Sequence, residues 1–201
     1  MKEKIRCAWV PNGNNLYVRY HDEEWGVPVW DDKKMFEFLV LESAQAGLSW
    51  ITVLKKREAY KKAFANFNPK KVARFTSSDI EKCMKNDGLI RNRMKIVAAI
   101  ENAKQFLKIQ KEFGTFCNYM WSFVGNVPIN AKRKSIKEIP AFNKHAEVLA
   151  SNMKKRGFCF FGPTICYAHM QAVGMVNDHT IDCFRHNEVK QSILKESKKN
   201  K

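Results

Sequence analysis

Two cysteines and two histidines stand near opposite ends of the chain, Cys7 and His21 at one end and His179 and Cys183 at the other. His179 and Cys183 are four residues apart, so on a helix they would share one face and could bind the same metal ion. Thiolate and imidazole are typical zinc ligands. The chain has no Cys-x-x-Cys pair here, so the spacing also fits two buried thiols and two hydrogen-bonded imidazoles. Both interpretations stay open at this point.

A carboxylate, Glu42, falls on the apolar face of a predicted helix, together with Met35, Phe38 and Leu39. Burial of a charge is costly, so a carboxylate at this position needs a reason. The structural explanation is a salt bridge or a cap for the turn at Gly47, and the functional one is a substrate pocket.

Aromatic residues surround this helix in the sequence: Trp50 follows it, and it is preceded by Trp9, Tyr17, Tyr20, Trp25 and Trp30. Each of them alone fits the packing of a helical core. Several aromatic rings beside a buried carboxylate would instead form a cage for a flat cation, through stacking and cation–π attraction. An alkylated purine base is such a cation.

The segment KNDGLIRNRMK joins two predicted helices through Gly88, in a hairpin near residues 78–107. Backbone N–H groups at the start of the second helix are a natural phosphate site, and Arg91, Arg93 and Lys95 surround it. One interpretation is a helix-hairpin-helix that docks on the DNA backbone without reading bases. The other is a helix C-cap followed by a solvated basic turn.

The composition sets limits for these hypotheses. Lys and Arg outnumber Asp and Glu by 36 to 20, and the net charge of +16 favours a polyanion or an anionic membrane as partner. The sequence has no apolar run long enough for a membrane span and no secretory signal, which predicts a soluble, cytoplasmic protein. Its six cysteines are then reduced thiols or metal ligands, and Cys159 and Cys166 have no assigned role.

Apolar residues recur at helical spacing almost throughout, so the predicted fold class is all-α. Residues 1–188 are predicted to form one domain, and residues 189–201 a flexible basic tail. Caps and helix breakers predict one helix that starts at Asp32 and another that starts at Ser49 and stops at Asn68 and Pro69. A capping box of Ser78 and Glu81 predicts a helix that stops at Gly88, followed by a long helix that stops at Gly114. Two further helices are predicted, one that ends at Gly157 and one that runs from Pro163 to Gly174.

Several longer motifs resemble one known family, the 3-methyladenine DNA glycosylase I (Tag) family of bacteria. They are YHDEEWGVP at 20–28, ESAQAGLSWITVLKKRE at 42–58, NDGLIRNRMKI at 86–96, and GFCFFGPTICY with MQAVGMVNDH towards the end. Long motifs in this order are far more specific than any residue pair. One departure from the family exists: the loop PNGNN is one residue longer. Arg91 replaces the second glycine of the general superfamily motif, a form that is normal for the Tag family.

The resemblance implies a helix-hairpin-helix DNA glycosylase fold with a zinc-binding lobe formed by the two chain ends. Cys7, His21, His179 and Cys183 match the family's zinc ligands. Four protein ligands leave no open position on a tetrahedral ion for an activated water, so the zinc is expected to be structural.

The resemblance also implies roles in a base pocket. Glu42 matches the carboxylate that meets the methylated base, and Tyr20 and Trp50 are expected to stack on that base. Further pocket walls are expected at Trp9, Tyr17 and Trp25.

The implied function is hydrolysis of the N-glycosidic bond of 3-methyladenine in double-stranded alkylated DNA, which releases the free base and leaves an abasic site. Leu48 is the candidate plug that fills the space of the extruded base, with a buried core leucine as the alternative. A monomer without lyase activity is expected, because no lysine is placed as a Schiff-base nucleophile. The rival hypotheses are a non-enzymatic, zinc-stabilised DNA-binding protein and a related glycosylase for another damaged base.

Overall fold

The computed structural model describes residues 4–11, 13–45 and 47–199, without the side chains of residues 192–199. This part of the chain is mostly helical, which confirms the predicted all-α class. Within the same ranges, none of the helices combines the length and the apolar character that a membrane crossing requires.

The helices are, in chain order, α1 Asn15–Glu23, α2 Asp32–Gln45, α3 Trp50–Ala63, α4 Pro69–Val72, α5 Ser77–Lys85, α6 Arg93–Phe113, α7 Phe116–Ser122, α8 Lys144–Lys155, α9 Pro163–Ala172 and α10 Phe184–Lys199. Short 3-10 helices lie at Ala65–Phe67 and Ile136–Glu138, and two strands, β1 Ile129–Asn130 and β2 Val176–Asn177, pair in parallel.

Several predicted boundaries agree with these elements. The long helix α6 ends at Gly114, whose φ of 80° is the left-handed conformation that glycine favours. Helix α9 begins with Pro163, whose fixed φ suits the first helical position. Helix α2 begins at Asp32, although Asp32 is not its cap: the carboxylate of Asp31 accepts from the N–H of Lys34 at 2.8 Å. The carboxylate of Asp32 instead accepts from the N–H groups of Phe116 and Cys117 at the start of α7.

Other local predictions are wrong. The capping box consists of Thr76 and Asp79, not of Ser78 and Glu81: the Asp79 carboxylate accepts from the backbone N–H of Thr76 at 3.0 Å. Thr76 has the extended backbone of an N-cap, whereas Ser78 lies inside α5, which ends at Lys85 before the predicted stop. Helix α1 was missed as well, because it is short and its apolar residues are mixed with charges.

Helix α2 is the centre of the fold. It packs against α3, α6, α7 and α9, and its residues from Met35 to Ala44 are buried except Glu37. A helix surrounded by others carries apolar residues on every face. Glu42 therefore lies on a helix that has almost no solvent-facing side.

The two ends of the chain meet on one side of the molecule. The N–H of Phe184, at the start of α10, donates to the carbonyl of Ile5 at 3.0 Å. Strand β2 comes just before this point and pairs with β1. The structure describes the backbone of the basic tail as a continuation of α10 to Lys199, and residues 200–201 lie outside the described part. The flexibility of the tail stays a prediction.

Candidate active site

A cavity of about 370 Å³ opens beside α2, within the size range of small-molecule pockets. Its walls come from α1, α2, α3, α9 and the 3-10 helix Ile136–Glu138. It is lined by Trp9, Tyr17, Tyr20, Trp25, Glu42, Gln45, Trp50, Ile136, Ile139, Ala168 and Gln171. The structure thus brings together the carboxylate and five of the six aromatic residues that the sequence singled out. The sixth, Trp30, stacks on Trp121 instead, with ring centroids 4.2 Å apart.

Glu42 is the acidic residue among those that line this cavity. The residue is only 2% exposed, and its Oε2 atom has no hydrogen-bond partner among the residues that the structure describes. Burial raises the pKa of the Glu42 carboxyl to about 8, because a charged carboxylate loses its hydration there. A salt bridge would have lowered that pKa instead. The geometry therefore favours a ligand, and not a structural partner, as the reason for a carboxylate at this position.

Aromatic rings form the walls around this carboxylate. The rings of Tyr20 and Trp50 have their centroids 5.4 Å apart, at an interplanar angle of 50°. Trp9 contacts the rings of Tyr17 and Trp25 at 5.5 and 5.0 Å. The Nε1 atom of Trp50 is buried without a partner in the described part of the chain, so a second residue of the pocket wall carries an unsatisfied polar atom. Unsatisfied buried groups of this kind are costly unless a ligand meets them.

Five lining residues were not predicted from the sequence: Gln45, Ile136, Ile139, Ala168 and Gln171. Ala168 and Gln171 are three residues apart on α9 and therefore share one face of that helix. Gln171 lies in the motif MQAVGMVNDH, but nothing in its residue type indicated a pocket wall.

The predicted metal ligands form one buried cluster. One ligand atom from each of Cys7, His21, His179 and Cys183 lies within 4.8 Å of the others. The Cys7 Sγ to His179 Nδ1 distance is 3.5 Å, and Cys183 Sγ lies 3.5 Å from His21 Nε2 and 3.6 Å from His179 Nδ1. With Zn–S near 2.3 Å and Zn–N near 2.05 Å, a tetrahedral site separates sulfur from nitrogen by about 3.6 Å. The four residues could therefore hold a tetrahedral metal ion.

Neighbouring groups orient both imidazoles towards the cluster. The Nδ1 of His21 lies 2.8 Å from Asp22 Oδ1, and the Nε2 of His179 lies 3.0 Å from the carbonyl oxygen of Trp25. Both partners are acceptors, so these nitrogens carry the proton and the other ring nitrogens present lone pairs to the cluster. Arg6 in turn fixes Asp22 through bonds of 2.7 to 3.1 Å. Metal-binding histidines typically have such partners.

The cluster lies directly behind the pocket wall. The ring of Trp9 contacts His21 at 5.3 Å between centroids, and the ring of Trp25 contacts His179 at 4.6 Å. Each tryptophan thus faces the cavity on one side and a cluster histidine on the other. The cluster therefore supports the pocket wall without lining the cavity.

The predicted hairpin connects α5 to α6. A Cβ atom on Gly88 would lie 2.8 Å from the Cβ of Ala59, so α3 approaches the turn too closely for a larger residue. The ammonium of Lys56, also on α3, donates to the carbonyl of Asp87 at 2.7 Å. Arg91 and Arg93 are exposed, and Arg93 pairs with Glu81 at 2.7 Å.

Lys95 differs from the two exposed arginines. Its ammonium donates to the carbonyl of Ala44 at 2.9 Å, and burial lowers its pKa. It thereby links the hairpin to the end of α2, just before the loop that carries Leu48. Leu48 is 40% exposed after the turn at Gly47, so the alternative of a buried core leucine is wrong.

These features define a class of protein: a helical protein with an aromatic pocket closed by a buried carboxylate, a basic hairpin on a neighbouring helix pair, and a Cys2His2 cluster behind the pocket. Comparisons with known proteins then show which family has these features. The family described as methyladenine glycosylase matches residues 9–186. The DNA-3-methyladenine glycosylase of Haemophilus influenzae is 48% identical over 178 residues, which cover 89% of this chain and 96% of that protein.

Solved structures of related proteins support the same family. A crystal structure of a 3-methyladenine DNA glycosylase I superimposes with a TM-score of 0.87 at 47% identity, covering 90% of this chain and 98% of that one. A structure that describes 3-methyladenine recognition by the Staphylococcus aureus enzyme has a TM-score of 0.86 at 36% identity, covering 89% and 95%. The chain belongs to the methyladenine glycosylase family, as the sequence motifs predicted.

Proposed function

We propose that the protein is a base excision repair glycosylase that hydrolyses the N-glycosidic bond of 3-methyladenine in alkylated DNA, releasing the free base and leaving an abasic site. The observation that carries this proposal is Glu42, a buried carboxylate without a hydrogen-bond partner for Oε2 in an aromatic pocket. Relatives of the same family carry this activity in their names.

The pocket suits a base that is already positively charged. Methylation at N3 gives the adenine a positive charge, so the base leaves as a neutral molecule and needs no proton donor. The protein must recognise that cation and stabilise the sugar cation that develops as the bond breaks. Glu42 accepts a hydrogen bond from the amino edge of the base and supplies negative charge, while Tyr20 and Trp50 stack on its ring.

A base inside double-stranded DNA must first leave the stack, at a cost of a few kcal/mol. The hairpin around Gly88, with the exposed Arg91 and Arg93, binds the DNA backbone in a helix-hairpin-helix mode. Leu48 fills the space of the extruded base, and its exposure on a turn next to the pocket supports this role. Lys95 positions this loop relative to the hairpin by its bond to Ala44, in place of the phosphate contact that its basic motif suggested.

The Cys2His2 cluster holds a structural zinc ion. The sulfur-to-nitrogen distances of 3.5 and 3.6 Å and the orientation of both imidazoles support a tetrahedral site. When bound, the ion supplies folding energy and not a reactive water, because four protein ligands complete its coordination. The residues of this cluster position Trp9 and Trp25 at the pocket wall.

The direct experiment is a base-release assay on methylated DNA. The protein should release free 3-methyladenine at a rate proportional to enzyme concentration, identified by chromatography against an authentic standard. A non-enzymatic DNA-binding protein would retain the lesion and release nothing. Release of other alkylated purines in preference to 3-methyladenine would instead support a related glycosylase for another base.

The rate should depend on pH through Glu42. The ionised carboxylate is the active form and burial raises its pKa to about 8, so kcat/KM should increase about tenfold per pH unit below that value and level off above it. The measurement is the initial rate of base release between pH 6 and 9, on one DNA substrate at concentrations well below KM. A flat profile from pH 6 to 8 would contradict the role of an ionised Glu42.

The reaction should stop at the abasic site. Among the pocket residues that the structure describes, there is no lysine that could form a Schiff base with the sugar. Borohydride added during turnover should therefore trap no protein–DNA adduct, and gel analysis should show no strand cleavage beyond that of abasic DNA alone. A trapped adduct would contradict this prediction. A monomeric state and a cytoplasmic location also stay predictions.

A further inference from the structure

Helix α9 forms the wall of the pocket that the sequence did not predict. Gln171 lines the cavity from this helix, and its backbone carbonyl accepts two hydrogen bonds. Its carbonyl accepts from the N–H of Gly26 at 3.0 Å and from the N–H of Gly174 at 3.2 Å. The side chain of Gln171 therefore starts from a rigid position at the pocket.

A buried carboxylate fixes the orientation of the Gln171 amide. Asp178 is fully buried, and its oxygens receive hydrogen bonds from Arg133 Nε at 3.0 Å, Tyr167 Oη at 2.6 Å and Gln171 Nε2 at 2.7 Å. Burial and the bond to Asp178 raise the pKa of Tyr167, so its hydroxyl keeps the proton that it donates. Arg133 and Tyr167 both donate to Asp178, so this carboxyl group acts as an acceptor and the nitrogen of the Gln171 amide faces it.

The other end of the amide is then a carbonyl oxygen. Among the residues that the structure describes, no hydrogen bond to Gln171 Oε1 is present, and this atom is not among the buried unsatisfied ones. Within this described part of the chain, Gln171 Oε1 therefore has no hydrogen-bond partner and is not a fully buried unsatisfied atom. Because its side chain lines the cavity, this oxygen is available to a ligand. Because its nitrogen is bonded to Asp178, the Gln171 amide can act towards a ligand only as a hydrogen-bond acceptor.

We propose that Gln171 is a specificity-determining residue whose side-chain carbonyl accepts a hydrogen bond from the exocyclic amino group of the bound base. This inference rests on the proposed function. The amino group of 3-methyladenine has two N–H donors, one for Glu42 and one for Gln171. In a purine with a carbonyl at the same ring position, the carbonyl oxygen would face two other acceptors, Glu42 and Gln171, and could form a hydrogen bond with neither. Sites that recognise a ligand by such hydrogen bonds reject analogues of this kind strongly.

The test compares two free bases with different groups at that position, 3-methyladenine with an amino group and 3-methylhypoxanthine with a carbonyl. Their dissociation constants are measured by quenching of tryptophan fluorescence in the zinc-loaded protein, for wild type, Gln171→Met and Tyr167→Phe. Methionine keeps the length of the side chain but removes the acceptor. Tyr167→Phe is the matched control, because it removes another donor to Asp178 and leaves the bond between Gln171 and Asp178 intact.

We expect Gln171→Met to reduce the preference for 3-methyladenine about tenfold, mainly through weaker binding of that base, while Tyr167→Phe keeps the wild-type preference. An unchanged preference in folded Gln171→Met overturns the inference. An equal loss in Tyr167→Phe also overturns it, because the network and not the acceptor would then be responsible.

A measurement on wild type alone does not depend on any variant folding. A methyl group on the exocyclic nitrogen of 3-methyladenine removes one of its two N–H donors, and affinity should fall at least about tenfold if both donors are used. Undiminished affinity for this analogue overturns the inference. Wild type that releases 3-methyladenine but fails these tests refutes only the role of Gln171, whereas wild type that releases none refutes the proposed function as well.

Discussion

Replacement of Glu42 by glutamine should lower release of 3-methyladenine from methylated DNA by about 100-fold or more at pH 8, which is the typical effect of removing one preorganised electrostatic group. Glutamine has nearly the same shape but carries no charge, so it cannot stabilise the cationic base or the developing sugar cation. The measurement is single-turnover release of the base, which separates the chemical step from product dissociation.

The same variant should be more stable than wild type in the absence of DNA. Burial raises the pKa of Glu42 from 4.5 to about 8, so the folded state holds its proton more tightly than the unfolded state. Wild-type stability should therefore decrease as pH rises from about 4.5 to 8, and Glu42→Gln should lack this loss. At pH 8 the difference should be on the order of 4 kcal/mol, measured by urea unfolding.

The matched control is Glu58→Gln, the same change at an exposed glutamate of α3. It should alter neither the rate nor the pH dependence of stability. A Glu42→Gln protein with wild-type activity would contradict the proposed role. A Glu42→Gln protein that is inactive because it is unfolded would contradict the expected gain in stability.

Loss of the proposed zinc ion should also have a large effect, by lowering the stability of the fold. Structural zinc contributes roughly 10–16 kcal/mol in small zinc-binding peptides, and whole domains are stable by about 5–15 kcal/mol. Cys7→Ser and His179→Ala should therefore bind less than one equivalent of zinc and unfold at a temperature more than about 10 °C lower. Elemental analysis and thermal unfolding measure the two effects.

Activity should decline in these variants in parallel with the folded fraction, because the cluster supports Trp9 and Trp25 and lies outside the cavity. Cys159→Ser is the control, since Cys159 is exposed and distant in sequence from the ligands. It should keep full zinc content. Full zinc content in both Cys7→Ser and His179→Ala would refute the site.

The sequence predicted one side of the pocket well and the other side not at all. Glu42 and Trp50 belong to neighbouring helices, and a carboxylate on an apolar face is visible in a helical pattern. Gln171 comes from a helix more than a hundred residues later. Periodicity shows that α9 has a buried face, but it does not show which other helix that face meets. Only the packing of α9 against α2 brings Gln171 to the pocket.

The hydrogen-bond partners of polar side chains were also hard to predict from the sequence, because each side chain has several possible partners. Lys95 follows two exposed arginines in a basic motif, yet its ammonium reaches back to the carbonyl of Ala44. Asp32 occupies the position of a helix cap for α2, yet its carboxylate caps α7. In both cases the local sequence is compatible with the short-range partner. The partner that the fold supplies is distant in sequence and cannot be derived from spacing.

The cluster at the chain ends has a consequence for the order of events during synthesis. Cys7 and His21 leave the ribosome early, whereas His179 and Cys183 follow more than 150 residues later. The ligand set therefore closes a loop that contains almost the whole chain, and such a contact forms only after the rest is available. We expect that a nascent chain cannot assemble its base-binding pocket before translation passes Cys183, so incomplete chains carry no excision activity.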